Sequence, residues 1–142
     1  MNYLPNKYIK YLMSVAELTA EQSYAKDRKV GAVIVANFDT IISASYNGTY
    51  PGLPNETEVD GKTLPSVYHA EEMAILKAAK LGVPLAGTTM ICTLSPCINC
   101  AKMIAGSGIY HLIFKEVHKR TEGLEFLRET GILTTLWNSS SS

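Results

Sequence analysis

Apolar positions along the chain change their period repeatedly, and each change marks an element. Ile9, Leu12, Met13, Ala16 and Leu18 recur at helical spacing, which predicts an amphipathic helix over residues 5–23. VGAVIVAN (30–37) is a β-branched run of strand length. A turn at Asn37–Asp39 and a second apolar run, 40–45, follow it, so the pair reads as a hairpin. Residues 46–66 break the pattern, with three prolines after a leading Asn-Gly and several acidic residues. A loop of this length in a compact domain usually carries function or is disordered. Helical spacing resumes at His69 and runs through Met73, Ile75, Leu76 and Ala79 to a stop at Gly82. TTMICTL (88–94) reads as a third strand, and Pro96 opens a helix that Gly106 and Gly108 end. HLIF (111–114), a short helix at 124–129 stopped by Gly131, and ILTTLW (132–137) complete the series. The tail 138–142 is polar and expected to fray. This order predicts one α/β domain over 1–142, with a five-stranded mixed sheet flanked by helices. The later strands, separated by helices, are expected to run parallel.

Composition narrows the function classes. Thirteen basic residues balance thirteen acidic ones, so the chain advertises no broad basic face for nucleic acid. The local cluster Lys115, His118, Lys119 and Arg120 reads first as a solvated turn. No apolar run is long enough for a membrane span, and the opening MNYLPNKYIK has no apolar core of a secretory signal. The three cysteines include one C-x-x-C pair, which without export signals favours metal or redox chemistry in a reducing, cytoplasmic compartment.

The chemistry concentrates at His69-Ala70-Glu71 and Pro96-Cys97-Ile98-Asn99-Cys100. Two cysteines three apart at a helix start share one face of the first turn. The positive helix end there favours the thiolate form that binds metal. With His69 they make two thiolates and one imidazole, and the fourth tetrahedral position stays open as in catalytic zinc sites. Glu71 has the offset to reach that position without being a ligand, and would take a proton from attacking water and pass it on. Glu72 reads as a solvated helix charge, and Cys92, mid-strand, as a small buried apolar residue. A redox pair fits poorly, because a His-x-Glu helix precedes the cysteines and the strand order is not that of a thioredoxin unit. A structural zinc would need a fourth ligand, for which Cys92, His111 and His118 are poor candidates.

H-x-E followed by P-C-x-x-C is the signature of the zinc deaminases. RKVGAVIV (28–35), YNG…PG (46–52), HAEEMAI (69–75) and PCINCAKMI (96–104) together resemble the deoxycytidylate (dCMP) deaminases, particularly the compact form of phages and bacteria. The likeness spans about Lys26 to Leu133. It implies the three-layer cytidine deaminase-like fold and zinc-dependent hydrolysis of dCMP to dUMP and ammonia for thymidylate supply; one zinc per chain is expected, because Leu53 and Tyr68 replace second-zinc ligands of many relatives. It gives Glu71 the proton transfers, and Ala70, Ser95 and Pro96 the base edge. Asn47 would bind the sugar, and Arg28, whose guanidinium matches phosphate geometry, the 5′-phosphate. The same resemblance implies a homohexamer activated by dCTP and inhibited by dTTP, with Mg2+ accompanying the triphosphate. Tyr46, Gly48, Tyr50 and Pro51 would then meet the effector. A location in the cytoplasm, of a host cell if the gene is phage-borne, goes with that reading. Of the aromatic candidates near the base, Phe114 and His118 come nearest. A tRNA adenosine deaminase, a free cytidine or guanine deaminase, and a non-catalytic zinc module are the rival readings. Zero net charge, Arg28 and Glu71 respectively argue against them.

Overall fold

Helix α1 (Asn6–Ala20) begins behind Pro5 and buries Ile9, Leu12, Met13 and Ala16, the stripe that its 3.6-residue period predicts. The structure, a computed structural model, describes residues 4–37 and 39–138; Phe38 of the first turn and the end of the polar tail lie outside the described residues. After α1 come β1 (Gly31–Ala36) and β2 (Thr40–Tyr46), then a small hairpin of β3 (Glu58–Val59) and β4 (Lys62–Thr63). Helix α2 (Ala70–Leu81), β5 (Thr89–Leu94), α3 (Ile98–Ser107), β6 (His111–Glu116), α4 (Glu122–Glu129) and β7 (Leu133–Leu136) complete the chain.

The main sheet has the order β2-β1-β5-β6-β7. β1 is antiparallel to both its neighbours, whereas β5, β6 and β7 run parallel, joined by α3 and α4 as crossovers. β1 and β5 are buried on both faces, which is why they read as continuous apolar runs. On one face Val33, Val35, Ile91 and Ile113 pack on α1 with Trp137. On the other, Ala32, Ile34, Met90 and Leu112 meet α2, α3 and α4, where Ala70, Ala74 and Ala78 let α2 approach closely. The result is the expected three-layer arrangement. Gly31 shows how tight the α1 layer is, because a Cβ there would lie 1.9 Å from the carbonyl oxygen of Ala16.

Three local expectations need correction. Residues 46–66 are not structureless: Asp60 (φ 51°) and Gly61 (φ 75°) form a tight turn between β3 and β4. The Asp-Gly pair is a hairpin signal, but its flanks lack alternating apolar residues, so pattern alone hides it. Pro96 does not open α3; Cys97 is its extended N-cap and Ile98 its first helical residue. His69 likewise caps α2, which begins at Ala70. No helix among the described residues is long and apolar enough to cross a membrane.

Candidate active site

The two helix starts place three metal-ligating side chains together. His69 Nδ1 lies 3.3 Å from Cys100 Sγ and 3.7 Å from Cys97 Sγ. All three ligand atoms fall within 4.8 Å of one another. Tetrahedral zinc with Zn–S near 2.3 Å and Zn–N near 2.0 Å would hold N and S roughly 3.5 Å apart, so the spacing fits that ion. The donor set fits as well, being soft thiolates plus imidazole.

The trio shares its protons. Hydrogen bonding from Cys100, then from His69, lowers the Cys97 thiol to about 3. The Cys97 contact raises His69 to about 9 against the opposing effect of burial. Cys100 is pushed up by the neighbouring Cys97 and by burial. A cation at the centre would displace these protons, so metal uptake is coupled to proton release.

Glu71 follows in the first turn of α2, only 5% exposed. Burial raises its carboxyl to about 7. Glu72 is not merely a solvated charge: its carboxylate accepts from the backbone N–H of His69 at 3.1 Å and holds the start of α2. Cys92 is fully buried within the sheet, its thiol pushed well up by desolvation, and it is not one of the clustered ligand side chains.

His69, Ala70, Glu71 and Cys97 form one wall of a cavity of about 480 Å³, a size usual for small-molecule sites. Arg28, Asn47 and Ser95 also line it. Arg28 is exposed and ion-paired with Glu116. Asn47 braces the same segment. Its Oδ1 accepts from the Val30 N–H at 2.8 Å, and its Nδ2 donates to the Arg28 carbonyl at 2.8 Å, leaving one amide hydrogen without a partner among the described residues. Ser95 is buried, and its hydroxyl accepts from the His118 N–H at 2.7 Å.

Other expected residues stand away from the cavity. Pro96, Tyr46, Gly48, Tyr50 and Pro51 are not among its lining. Gly48 instead pairs through its backbone with Tyr68, beside His69, and the Tyr50 and Tyr68 rings lie 6.5 Å apart. Of the two aromatic candidates, His118 lines the cavity, whereas Phe114 is 3% exposed in the core beneath the sheet.

Sequence reasoning missed the remaining wall. Thr57 and Glu58, Thr63 of the small hairpin, and Val117 with Lys119 all line the cavity. The Glu58 carboxylate accepts from the backbone N–H groups of Lys26 and Asp27, at 2.9 and 3.1 Å, and so ties the hairpin to the segment carrying Arg28. Gly123 is a hidden support. A Cβ there would lie 2.2 Å from the Pro96 carbonyl oxygen, so glycine lets α4 press against the Cys97 loop.

Residues 6–116 match the family model described as the cytidine and deoxycytidylate deaminase zinc-binding region. The human deoxycytidylate deaminase is 36% identical over 114 residues, covering 74% of this chain and 62% of the relative. That of Enterobacteria phage T2 is 33% identical, covering 85% of this chain and 87% of the relative. The chain thus spans about three-fifths of the human protein and most of the phage one. Among solved structures, the dCMP deaminase of cyanophage S-TIM5 in complex with dCMP and dUMP superposes with a TM-score of 0.91. It is 34% identical, with 95% of this chain and all of the other covered.

Proposed function

This chain belongs to the cytidine and deoxycytidylate deaminase family, and from that premise we propose that it hydrolyses dCMP to dUMP and ammonia, supplying the precursor of thymidylate. The observation that carries the reading is Glu71, a buried carboxylate on the same cavity wall as His69 and Cys97. A purely structural metal site has no use for it. His69, Cys97 and Cys100 would hold one zinc per chain. Zinc, when bound, supplies the Lewis acidity that makes water a nucleophile at neutral pH. Glu71 takes the proton of the attacking water and delivers it to ring N3. It then assists departure of the C4 amino group as ammonia while the new C4–O bond becomes the carbonyl of dUMP. Ala70 and Ser95 would form the base-edge surroundings, Ser95 acting through its backbone, while Pro96, whose carbonyl faces Gly123, would only set the course of the loop between Ser95 and Cys97. The uncommitted amide hydrogen of Asn47 would meet the sugar, and Arg28 the 5′-phosphate.

The regulatory reading is activation by dCTP and inhibition by dTTP, each with Mg2+, in a homohexamer. It draws support from the tie between Gly48 and Tyr68, which links the Tyr46–Pro51 segment to the residue preceding His69. An effector at Tyr46, Gly48, Tyr50 or Pro51 would thereby act on a metal ligand through backbone rather than from inside the cavity. The proposed reaction would run in the cytoplasm.

The test is ultraviolet-monitored deamination of dCMP, CMP and deoxycytidine, each with and without Mg2+-dCTP, on protein of known zinc content. Turnover selective for dCMP and raised by dCTP is expected. Equal turnover of deoxycytidine would make this a nucleoside deaminase, and silence on all three with zinc bound would redirect the reading to RNA substrates. Two zinc ions per chain would overturn the single-site reading.

A further inference from the structure

Residues 49–67, between β2 and α2, are held differently from everything around them. Their two ends are pinned together. The Gly48 N–H donates to the Tyr68 carbonyl at 3.0 Å and the Tyr68 N–H to the Gly48 carbonyl at 2.8 Å, so the segment leaves and returns at one point beside His69. Within it, β3 and β4 pair with each other as a two-stranded sheet separate from the main one. Both strands are exposed apart from the half-buried Glu58, and no residue of 49–67 belongs to either core cluster. A two-stranded hairpin without an apolar face is marginal by itself, so something else must hold it in place.

That hold is the Glu58 carboxylate. It accepts from the Lys26 N–H at 2.9 Å and the Asp27 N–H at 3.1 Å, and the Thr57 hydroxyl donates to it as well. Lys26 and Asp27 are exposed, so water can take over both amides when the carboxylate leaves, and release buries no unsatisfied donor. The tie is therefore reversible in a way that a buried network is not. What it holds together is the cavity wall. Thr57, Glu58 and Thr63 line the cavity from the hairpin, and Asp27 and Arg28 line it from the segment that carries the two amides. With the tie made, the two stretches form one wall; with the tie released, the hairpin is left hanging from Gly48 and Tyr68.

We propose that residues 49–67 act as a flap on the substrate cavity, hinged at the Gly48–Tyr68 pair and latched by Glu58 on the Lys26 and Asp27 amides, and that nucleotide enters and leaves when the latch releases. Glu58 is thus a positioning residue. It acts through the flap and the segment before β1, without touching the reacting atoms. A closed flap keeps bulk water from a bound nucleotide, which strengthens the charged contacts inside, and an open one lets the product go. The role in nucleotide exchange rests on the dCMP reading above; the latch itself does not.

The experiment compares E58Q with the parent protein and with E56Q, which removes the same charge from an exposed residue outside the cavity lining. A glutamine at 58 offers one acceptor oxygen where the carboxylate offers two, and sets an amide NH2 against the donors. Two readouts are taken on zinc-loaded protein: hydrogen exchange at the Lys26 and Asp27 amides with and without dUMP, and the rate of dUMP release by NMR exchange spectroscopy. In the parent, dUMP should slow exchange at both amides. In E58Q both amides should exchange about tenfold faster without ligand, and dUMP should leave about tenfold faster, the size of one lost charge-assisted hydrogen bond, with zinc content unchanged. E56Q should match the parent. Exchange unaltered in E58Q would show that there is no latch. Exchange raised with dUMP release unaltered would show a tie that does not gate the nucleotide, and either result overturns the proposal. A parent protein that binds neither dCMP nor dUMP instead removes the dCMP reading, while the ligand-free comparison still decides the latch.

Discussion

The two walls of the cavity are built by different means. On the metal wall, His69, Glu71 and Cys97, with Cys100 beside His69, sit at the starts of α2 and α3, where helical backbone, a Glu72 cap and the close approach at Gly123 hold them. On the facing surfaces, Arg28, Glu58 and Lys119 come from three separate stretches of chain, tied by side-chain to backbone bonds of Asn47, Glu58 and Ser95 and by the Arg28–Glu116 ion pair. Reacting atoms need positions fixed to a fraction of an ångström, which helix ends supply. Recognition of a flexible nucleotide tolerates, and exploits, a surface assembled from loops. Chemistry and selectivity should therefore separate under mutation.

The largest expected effect lies on the metal wall. E71Q should lower dCMP turnover by about 10²–10⁴-fold while zinc content and melting temperature hold, measured by kinetics and metal analysis. Retained turnover would remove the mechanism. C100A should instead lose both metal and activity, because two remaining ligands cannot complete the set. Next comes G123A, where the added methyl meets the Pro96 carbonyl. We expect about 1–3 kcal/mol of destabilisation in denaturant melts, together with a lowered kcat, since α4 must shift behind Cys97. An unchanged kcat would show that the cysteine loop does not depend on α4.

The facing wall should respond differently. E58Q weakens the carboxylate's bonds to the Lys26 and Asp27 amides, and should raise KM for dCMP with little change in kcat or zinc content. A fall in kcat alone would mean that the walls are mechanically one. The smallest effect comes from His111, outside both walls, with Nε2 against Thr135 Oγ1 at 2.8 Å. Burial lowers its pKa, so the folded state binds the proton less readily than the unfolded chain. Its stabilising contribution is full above the unfolded value of about 6.5 and is lost as pH falls below it toward the lower folded value. The melting temperature of the parent should accordingly drop between pH 7 and pH 5 more than that of H111Q. Parallel curves would show that this histidine carries no linkage.

Much of the metal wall was legible because it is local. Three residues hold His69 and Glu71, five hold Pro96 to Cys100, and each lies where a helix period begins, so spacing along the chain is close to spacing in space. The alternation of helices and apolar runs likewise determined the layers and the parallel strands. The facing wall has no such translation. Glu58 meets Lys26 and Asp27 across more than thirty residues, and Ser95 meets His118 across more than twenty. Nothing in the periodicity of 46–66 or 116–120 marks those pairings. Lys119 and Lys115 look alike in sequence, yet the fold sets one at the lining of the cavity and pairs the other with Glu17. The sequence by itself determined that the candidate ligands and Glu71 gather at two helix starts, because helix geometry is set within a few residues. Only the tertiary structure decided which charges line the cavity and which are already paired, because that depends on contacts closed by the whole fold.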